Sequence, residues 1–154
     1  MKPVGAWSLV FLQFLFIALL VVLPAGTLWP RSVTVAAFAA VLVVVALGLA
    51  GLAGAKLGPT LTPSPIPREQ GHLETGGVYG IVRHPIYTAL LVGAAGLALW
   101  GGSVAHLIVF GLLVGLLSMK ARAEERMLFA KYEDYRDYAA KVGRFVPGLG
   151  RVVS

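Results

Sequence analysis

The residues most able to do chemistry gather in two short runs. One leads from His72-Leu73 through Thr75-Gly76-Gly77-Val78-Tyr79 to Arg83-His84-Pro85-Ile86-Tyr87, and the other is the acidic pair Glu124-Glu125. Pro85 suits the first turn of a helix, where its missing N–H has no partner to lose. A helix starting there presents free N–H groups and the positive end of its dipole, which favours a carboxylate or phosphate, and Arg83 and His84 flank it. Glu124-Glu125 supplies the opposite charge and suits an ammonium. The glycines between His72 and Gly80 permit close backbone approach to a ligand.

A ligand for all three features carries a carboxylate at one end and positive charge elsewhere. The methionine part of S-adenosylmethionine has that pattern, with carboxylate, ammonium and sulfonium. Its carboxylate would face Arg83, His84 and the helix N-terminus, its ammonium a Glu, and its adenine Leu73, Tyr79 and the backbone beside them. Each feature alone has a plainer reading. Arg83-His84 at a membrane boundary is a topology signal, Glu124-Glu125 a solvated helix end offset by Arg122 and Arg126, and Gly76-Gly77 a turn. His106 reads as a hydrogen-bonded interface residue, since no carboxylate lies within the spans to pair with it. The acidic pair lacks the His partners of a metal site, so no metal is expected.

The elements that must position these residues are apolar. Of 154 residues, 58% are hydrophobic and 13% charged, about half the charged share of soluble domains. There is no cysteine, hence no disulfide, thiolate nucleophile or Cys-ligated metal. The net charge of +6 sits beside apolar stretches and reads as topology and anionic headgroups, with no nucleic-acid partner. The sequence predicts an all-α integral membrane protein of one domain with about four spans, over 7–23, 33–54, 85–100 and 103–119. A helix needs about 20 residues to cross. The last two spans form a tight hairpin broken at Gly101-Gly102-Ser103, which brings Pro85 and Glu124-Glu125 to the same end. Residues 56–84 form a cytoplasmic loop, stiffened at its start by Pro59, Pro63, Pro65 and Pro67. Residues 120–142 read as an interfacial amphipathic helix. Lys2 followed by an apolar run has a competing reading as a signal peptide, but the run is long and lacks a clean cleavage site.

With four spans, Arg31 is the one basic residue on the outer side and the other 12 of 13 lie opposite, which places both termini in the cytoplasm. Gly111-x-x-x-Gly115 and Ala89-x-x-x-Gly93 are small-residue pairs that let helices approach. The first reading is packing within the chain; a homodimer seam through Gly111 and Gly115 is the alternative.

The run His72, Thr75, Gly77, Tyr79, Arg83, His84, Pro85, Tyr87 resembles the signature of the isoprenylcysteine carboxyl methyltransferases and the related phospholipid methyltransferases. Their second block is matched by Glu124-Glu125, Leu128, Tyr132, Tyr135, Tyr138, Val142, Arg144, Phe145 and Pro147. The resemblance covers roughly residues 56–150. It departs at Thr88-Ala89, where many relatives carry glycine, and at Tyr132-Glu133, where the segment is a residue shorter. It implies a membrane-embedded methyltransferase that takes S-adenosylmethionine from the cytosol and a lipophilic acceptor from the bilayer. The acceptor classes are an isoprenylcysteine-like carboxylate, a phospholipid amine, or a small lipophilic thiol or acid. Cofactor contacts carry over to His72, Leu73, Tyr79, His84, Tyr87, Glu124 and Glu125, with Arg83 and His84 as the catalytic candidates and Arg122 toward the substrate. The rival readings are a non-catalytic four-span adaptor and an NADPH-dependent membrane reductase.

Overall fold

The computed structural model describes residues 3–58, 62 and 73–152. His72 lies outside the described residues, as does most of the proline-rich part of the loop. Five α-helices make up the chain among the described residues: α1 (Pro3–Val22), α2 (Val33–Leu57), α3 (Pro85–Gly101), α4 (Val104–Lys131) and α5 (Tyr135–Lys141), with a single 3₁₀ turn at Gly77–Gly80. Two of them, α2 and α4, are long and apolar enough to cross a membrane, and α1 and α3 contain shorter apolar stretches.

Small residues let α2 and α3 lie against each other. Ala39, Ala46 and Ala53 recur every seventh residue on the buried face of α2. Opposite them, a Cβ on Gly96 would lie 2.8 Å from the Ala39 carbonyl oxygen, and one on Gly93 would lie 3.2 Å from the Ala46 Cβ. That seam holds the α3 N-terminus beside the end of α2. On the other side α1 packs along α4, and Leu20, Leu113, Leu116, Leu117 and Tyr87 share one apolar core. Gly111 and Gly115 take no part in this packing. Both are exposed on α4, and a Cβ on either would meet nothing within 4 Å among the described residues. The within-chain reading of that pair is therefore corrected, because the contact faces of α4 lie elsewhere on the helix.

The α3–α4 hairpin turns where Gly101-Gly102-Ser103 predicts. Gly102 is left-handed (φ 57°, ψ 34°), a conformation only glycine adopts freely, and the Ser103 hydroxyl accepts the His106 N–H at 3.3 Å to cap α4. His106 is buried, with its Nδ1 2.7 Å from the Ser103 hydroxyl. The segment after α1 crosses this turn: the Gly26 N–H bonds Gly101 O, the Leu28 N–H bonds Gly102 O, and Trp29 Nε1 donates to Leu99 O.

The C-terminal region differs from the single helix expected over 120–142. Instead α4 continues to Lys131, the backbone becomes extended at Tyr132 (φ −123°, ψ 120°), and α5 starts afresh at Tyr135. A straight continuation would carry the apolar face away from the bundle. The break turns it back, so that Tyr135 and Ala139 are 1% and 0% exposed. At about 1.5 Å per residue the 28 residues of α4 reach about 42 Å, longer than a hydrocarbon core of about 30 Å. Its apolar part ends at Met119, and the charged residues from Lys120 onward project beyond it.

Candidate functional site

Glu125 is the centre of the charged end. Its Oε1 accepts Arg83 Nε at 3.0 Å and Arg83 Nη2 at 2.8 Å, and lies 3.2 Å from His84 Nε2. Its Oε2 accepts Arg144 Nη2 at 2.6 Å. Two guanidinium groups thus converge on one carboxylate whose side chain is 5% exposed. Burial works against its charge, but the bonds from His84 and Arg144 and the charge of Arg83 outweigh burial and hold the carboxyl down at about 2.

Arg83 is wholly enclosed, and its five N–H donors are all engaged. Besides Glu125, Nη1 donates to Ala139 O at 3.0 Å and to Val142 O, and Nη2 donates to Gly150 O at 2.9 Å. The main chain reinforces the same junction: the Arg83 N–H bonds Gly143 O at 2.8 Å, the His84 N–H bonds Arg144 O at 3.1 Å, and Val82 and Gly143 form a parallel bridge. Thr88, at a departure from the family pattern, contributes too, since its hydroxyl donates to Phe145 O at 2.9 Å. Gly143 fits because a Cβ there would lie 2.1 Å from Val146 O. The expectation that Arg83 would face a ligand carboxylate does not fit this geometry. Its donors are spent latching α5 and residues 143–150 onto the start of α3.

Glu124 stands apart from this latch. Its carboxylate accepts the Tyr87 hydroxyl at 3.0 Å, and His84 Nδ1 lies 3.7 Å away, beyond hydrogen-bond length. Desolvation pushes its carboxyl above the ordinary range, against the lowering effects of His84, Tyr87 and Lys120. The side chain is 27% exposed. Adjacent glutamates are thus driven in opposite directions, Glu125 by ion pairs and Glu124 by burial. Tyr87 stacks on His84 with ring centroids 5.3 Å apart, and Phe145 meets both edge-on.

The glycine-rich loop is tied to this end from two sides. The Tyr138 hydroxyl donates to Tyr79 O at 2.6 Å, and the Tyr79 hydroxyl reaches Ala53 O at 3.5 Å. Leu73 is half-buried at the start of the described loop. Arg122 is exposed and lines a shallow depression with Glu125, Arg126, Phe129, Arg144 and Val152. Arg83, His84, Tyr87, Glu124 and Glu125 therefore come together, Tyr79 joins them through Tyr138, and Arg122 borders the outer side of Glu125. Among the described residues no group of three or more His, Cys, Asp or Glu could hold a metal ion.

Four residues to which the sequence assigns no role contribute. Arg144 stood in the second motif block, and its pairing with an upstream carboxylate was the available signal. Tyr135 keeps a buried hydroxyl with no hydrogen-bond partner among the described residues. Lys120 and Gln13 form a buried pair described below.

Two helices long and apolar enough to cross a membrane, with a charged cluster at one end of the helices, are consistent with a helical membrane protein. The family follows from comparison: residues 32–135, more than half of the chain, match the phospholipid methyltransferase family, and the chain belongs to it. It is similar to the cobalt-zinc-cadmium resistance protein CzcN of Cupriavidus metallidurans, with 32% identity over 83 residues, 53% of this chain and 38% of that protein. It is also similar to the nickel-cobalt-cadmium resistance protein NccN of Alcaligenes xylosoxydans xylosoxydans, with 30% identity over 83 residues, 53% of this chain and 39% of that protein. The matched stretch thus spans less than two fifths of either relative's length.

Proposed function

We propose that the protein transfers a methyl group from S-adenosylmethionine to a lipophilic acceptor at the cytoplasmic face of a membrane. In this reading the chain crosses the bilayer four times, through α1, α2, α3 and the apolar part of α4, with both termini in the cytoplasm. Family membership supports the reaction class. The observation that carries the reading is the division of labour between the two glutamates. Glu125 is consumed by Arg83, Arg144 and His84, whereas Glu124 has one hydrogen-bonding neighbour among the described residues, Tyr87, and lone pairs to spare.

The donor set fits the cofactor's methionine end. Glu124 accepts the ammonium, and the first N–H groups of α3, at Ile86 and Tyr87, take the carboxylate, since helix geometry leaves them without intrahelical partners. His84 and Tyr87 form one wall, and the loop at Leu73 and Tyr79 covers the other end. When bound, the cofactor supplies a sulfonium-activated methyl, and the acceptor's nucleophile bonds to that carbon as the carbon–sulfur bond breaks and its electron pair returns to sulfur. The protein's residues align the acceptor and exclude water. Arg83 acts by fixing the α3 N-terminus against the C-terminal segment.

The test is calorimetric titration of the purified protein in nanodiscs with S-adenosylmethionine. Glu124→Gln should weaken binding by about 1.5–3 kcal/mol, the worth of a charge-assisted hydrogen bond. Unchanged affinity in that variant would contradict the assignment of Glu124.

A further inference from the structure

The cluster that completes the inner side of this site includes a residue from outside the family-matched region. Lys120 is 0% exposed, and its Nζ donates to the Gln13 side-chain oxygen of α1, itself 5% exposed. The same Nζ lies 5.2 Å from the centre of the Tyr87 ring. Lys120 and Glu124 are one turn apart on the same face of α4, so their side chains are neighbours. Tyr87 stands between them: its hydroxyl bonds Glu124, and its ring face meets Lys120. A cation enclosed at the bilayer boundary is costly and marks a functional position by default.

We propose that Lys120, oriented by Gln13, is a specificity-determining residue that faces the acceptor and selects one whose nucleophile is anionic. The proposal rests on the methyltransferase reading above. An acceptor entering from the bilayer brings its head to the level of Tyr87, one ring thickness from Lys120. With Glu124 engaged by the cofactor's ammonium, the charge presented to that head is the lysine's. A carboxylate in apolar surroundings takes up a proton and loses its nucleophilicity; a nearby cation keeps it ionised. An ammonium headgroup meets a like charge. Transfer to an anion forms a neutral product with no proton to remove, so this side of the site needs no base.

The matched probes are dodecanoate and dodecylamine, equal in chain length and opposite in charge. Each is offered with labelled S-adenosylmethionine to the parent, Lys120→Met and Lys120→Arg in nanodiscs, and binding of labelled dodecanoate is measured without cofactor. The parent should use dodecanoate at least roughly tenfold more efficiently than dodecylamine. Lys120→Met should weaken cofactor-free binding of dodecanoate by roughly tenfold and lower kcat/KM for dodecanoate by at least as much. Lys120→Arg should restore the preference. A lysine that merely ties α1 to α4 would not move the charge preference. Should Lys120→Met fail to insert, Gln13→Leu keeps the lysine, frees its orientation and supports the same comparison. Equal or better use of dodecylamine, an unchanged preference in the variants, or no binding and turnover of dodecanoate while the cofactor binds would each overturn the inference. Failure of the parent to bind S-adenosylmethionine would overturn the methyltransferase reading instead.

Discussion

Replacing Arg83 by lysine separates a latch from a ligand contact. The guanidinium makes five hydrogen bonds in a wholly enclosed position: two to Glu125 and one each to the carbonyls of Ala139, Val142 and Gly150. Lysine keeps the charge but has three donors at one point, so it cannot span a carboxylate and three carbonyls that lie in different directions. At least two bonds are lost. One leaves a carbonyl without its donor, at about 1–3 kcal/mol, and loss of the fork on Glu125 removes a charge-assisted bond of about 1.5–3 kcal/mol. The expected loss is about 3–4 kcal/mol, large for a substitution that conserves charge. Because the bonds tie residues 139–150 to α3, that segment should loosen first. The assay is thermal unfolding in nanodiscs together with limited trypsin digestion at Arg144 and Arg151. We expect a lower Tm, faster cleavage at these arginines, and a fall in methyl transfer that tracks the loss of the latch. A variant as stable and protease-resistant as the parent yet inactive would rule out the latch and return Arg83 to direct contact with a ligand.

Other consequences follow from the same geometry. Glu125 titrates at about 2 in the folded protein, below the 4.5 of an ordinary glutamate, so its contribution to stability is present above about pH 4.5 and is lost as pH falls through about 2; denaturation profiles of the parent should show that acid-side loss, and Glu125→Gln should remove it. Glu124 is shifted upward, so cofactor affinity should fall on acidification before an ordinary carboxylate would protonate, and Glu124→Gln should flatten that dependence in a calorimetric pH series. Gly96→Val should destabilise the protein, because a Cβ would lie 2.8 Å from Ala39 O, whereas Gly111→Val should leave the monomer intact; crosslinking that finds a dimer lost in Gly111→Val would support a homodimer seam there, and an unchanged oligomeric state would dismiss it. Reporters fused after Ser154 and at Gln70 should both read cytoplasm and one within 101–103 the outside; an outside signal at Gln70 would sink the four-span arrangement.

Much of this arrangement is legible in the chain because local rules fix it. Gly102 and Ser103 specify a left-handed turn and a cap, so the hairpin and the meeting of Pro85 with Glu124-Glu125 follow from spacing. The roles of Arg83 and Glu125 are not legible in the same way. They depend on carbonyls of residues 139–150, and the break at Tyr132 that delivers those carbonyls is a tertiary effect of burying Tyr135 and Ala139. Lys120 in sequence is one more basic residue after an apolar span, and Gln13 a lone amide in another. Their pairing spans 107 positions and emerges only once α1 lies along α4. The outward Gly111 and Gly115 show the same limit, since the pattern of small residues does not say which face of a helix is covered.

In the proposed function this end of the bundle binds S-adenosylmethionine through Glu124 while Glu125 and Arg83 hold the site together. Calorimetric titration of the parent, Glu124→Gln and a stability-matched surface variant, Arg136→Gln, tests it directly, with NADPH as the competing ligand. Saturable binding of S-adenosylmethionine by the parent and the surface variant is expected, with roughly tenfold or greater weakening in Glu124→Gln at unchanged Tm and no saturation by NADPH. Binding of NADPH alone, or S-adenosylmethionine affinity indifferent to Glu124, would contradict it.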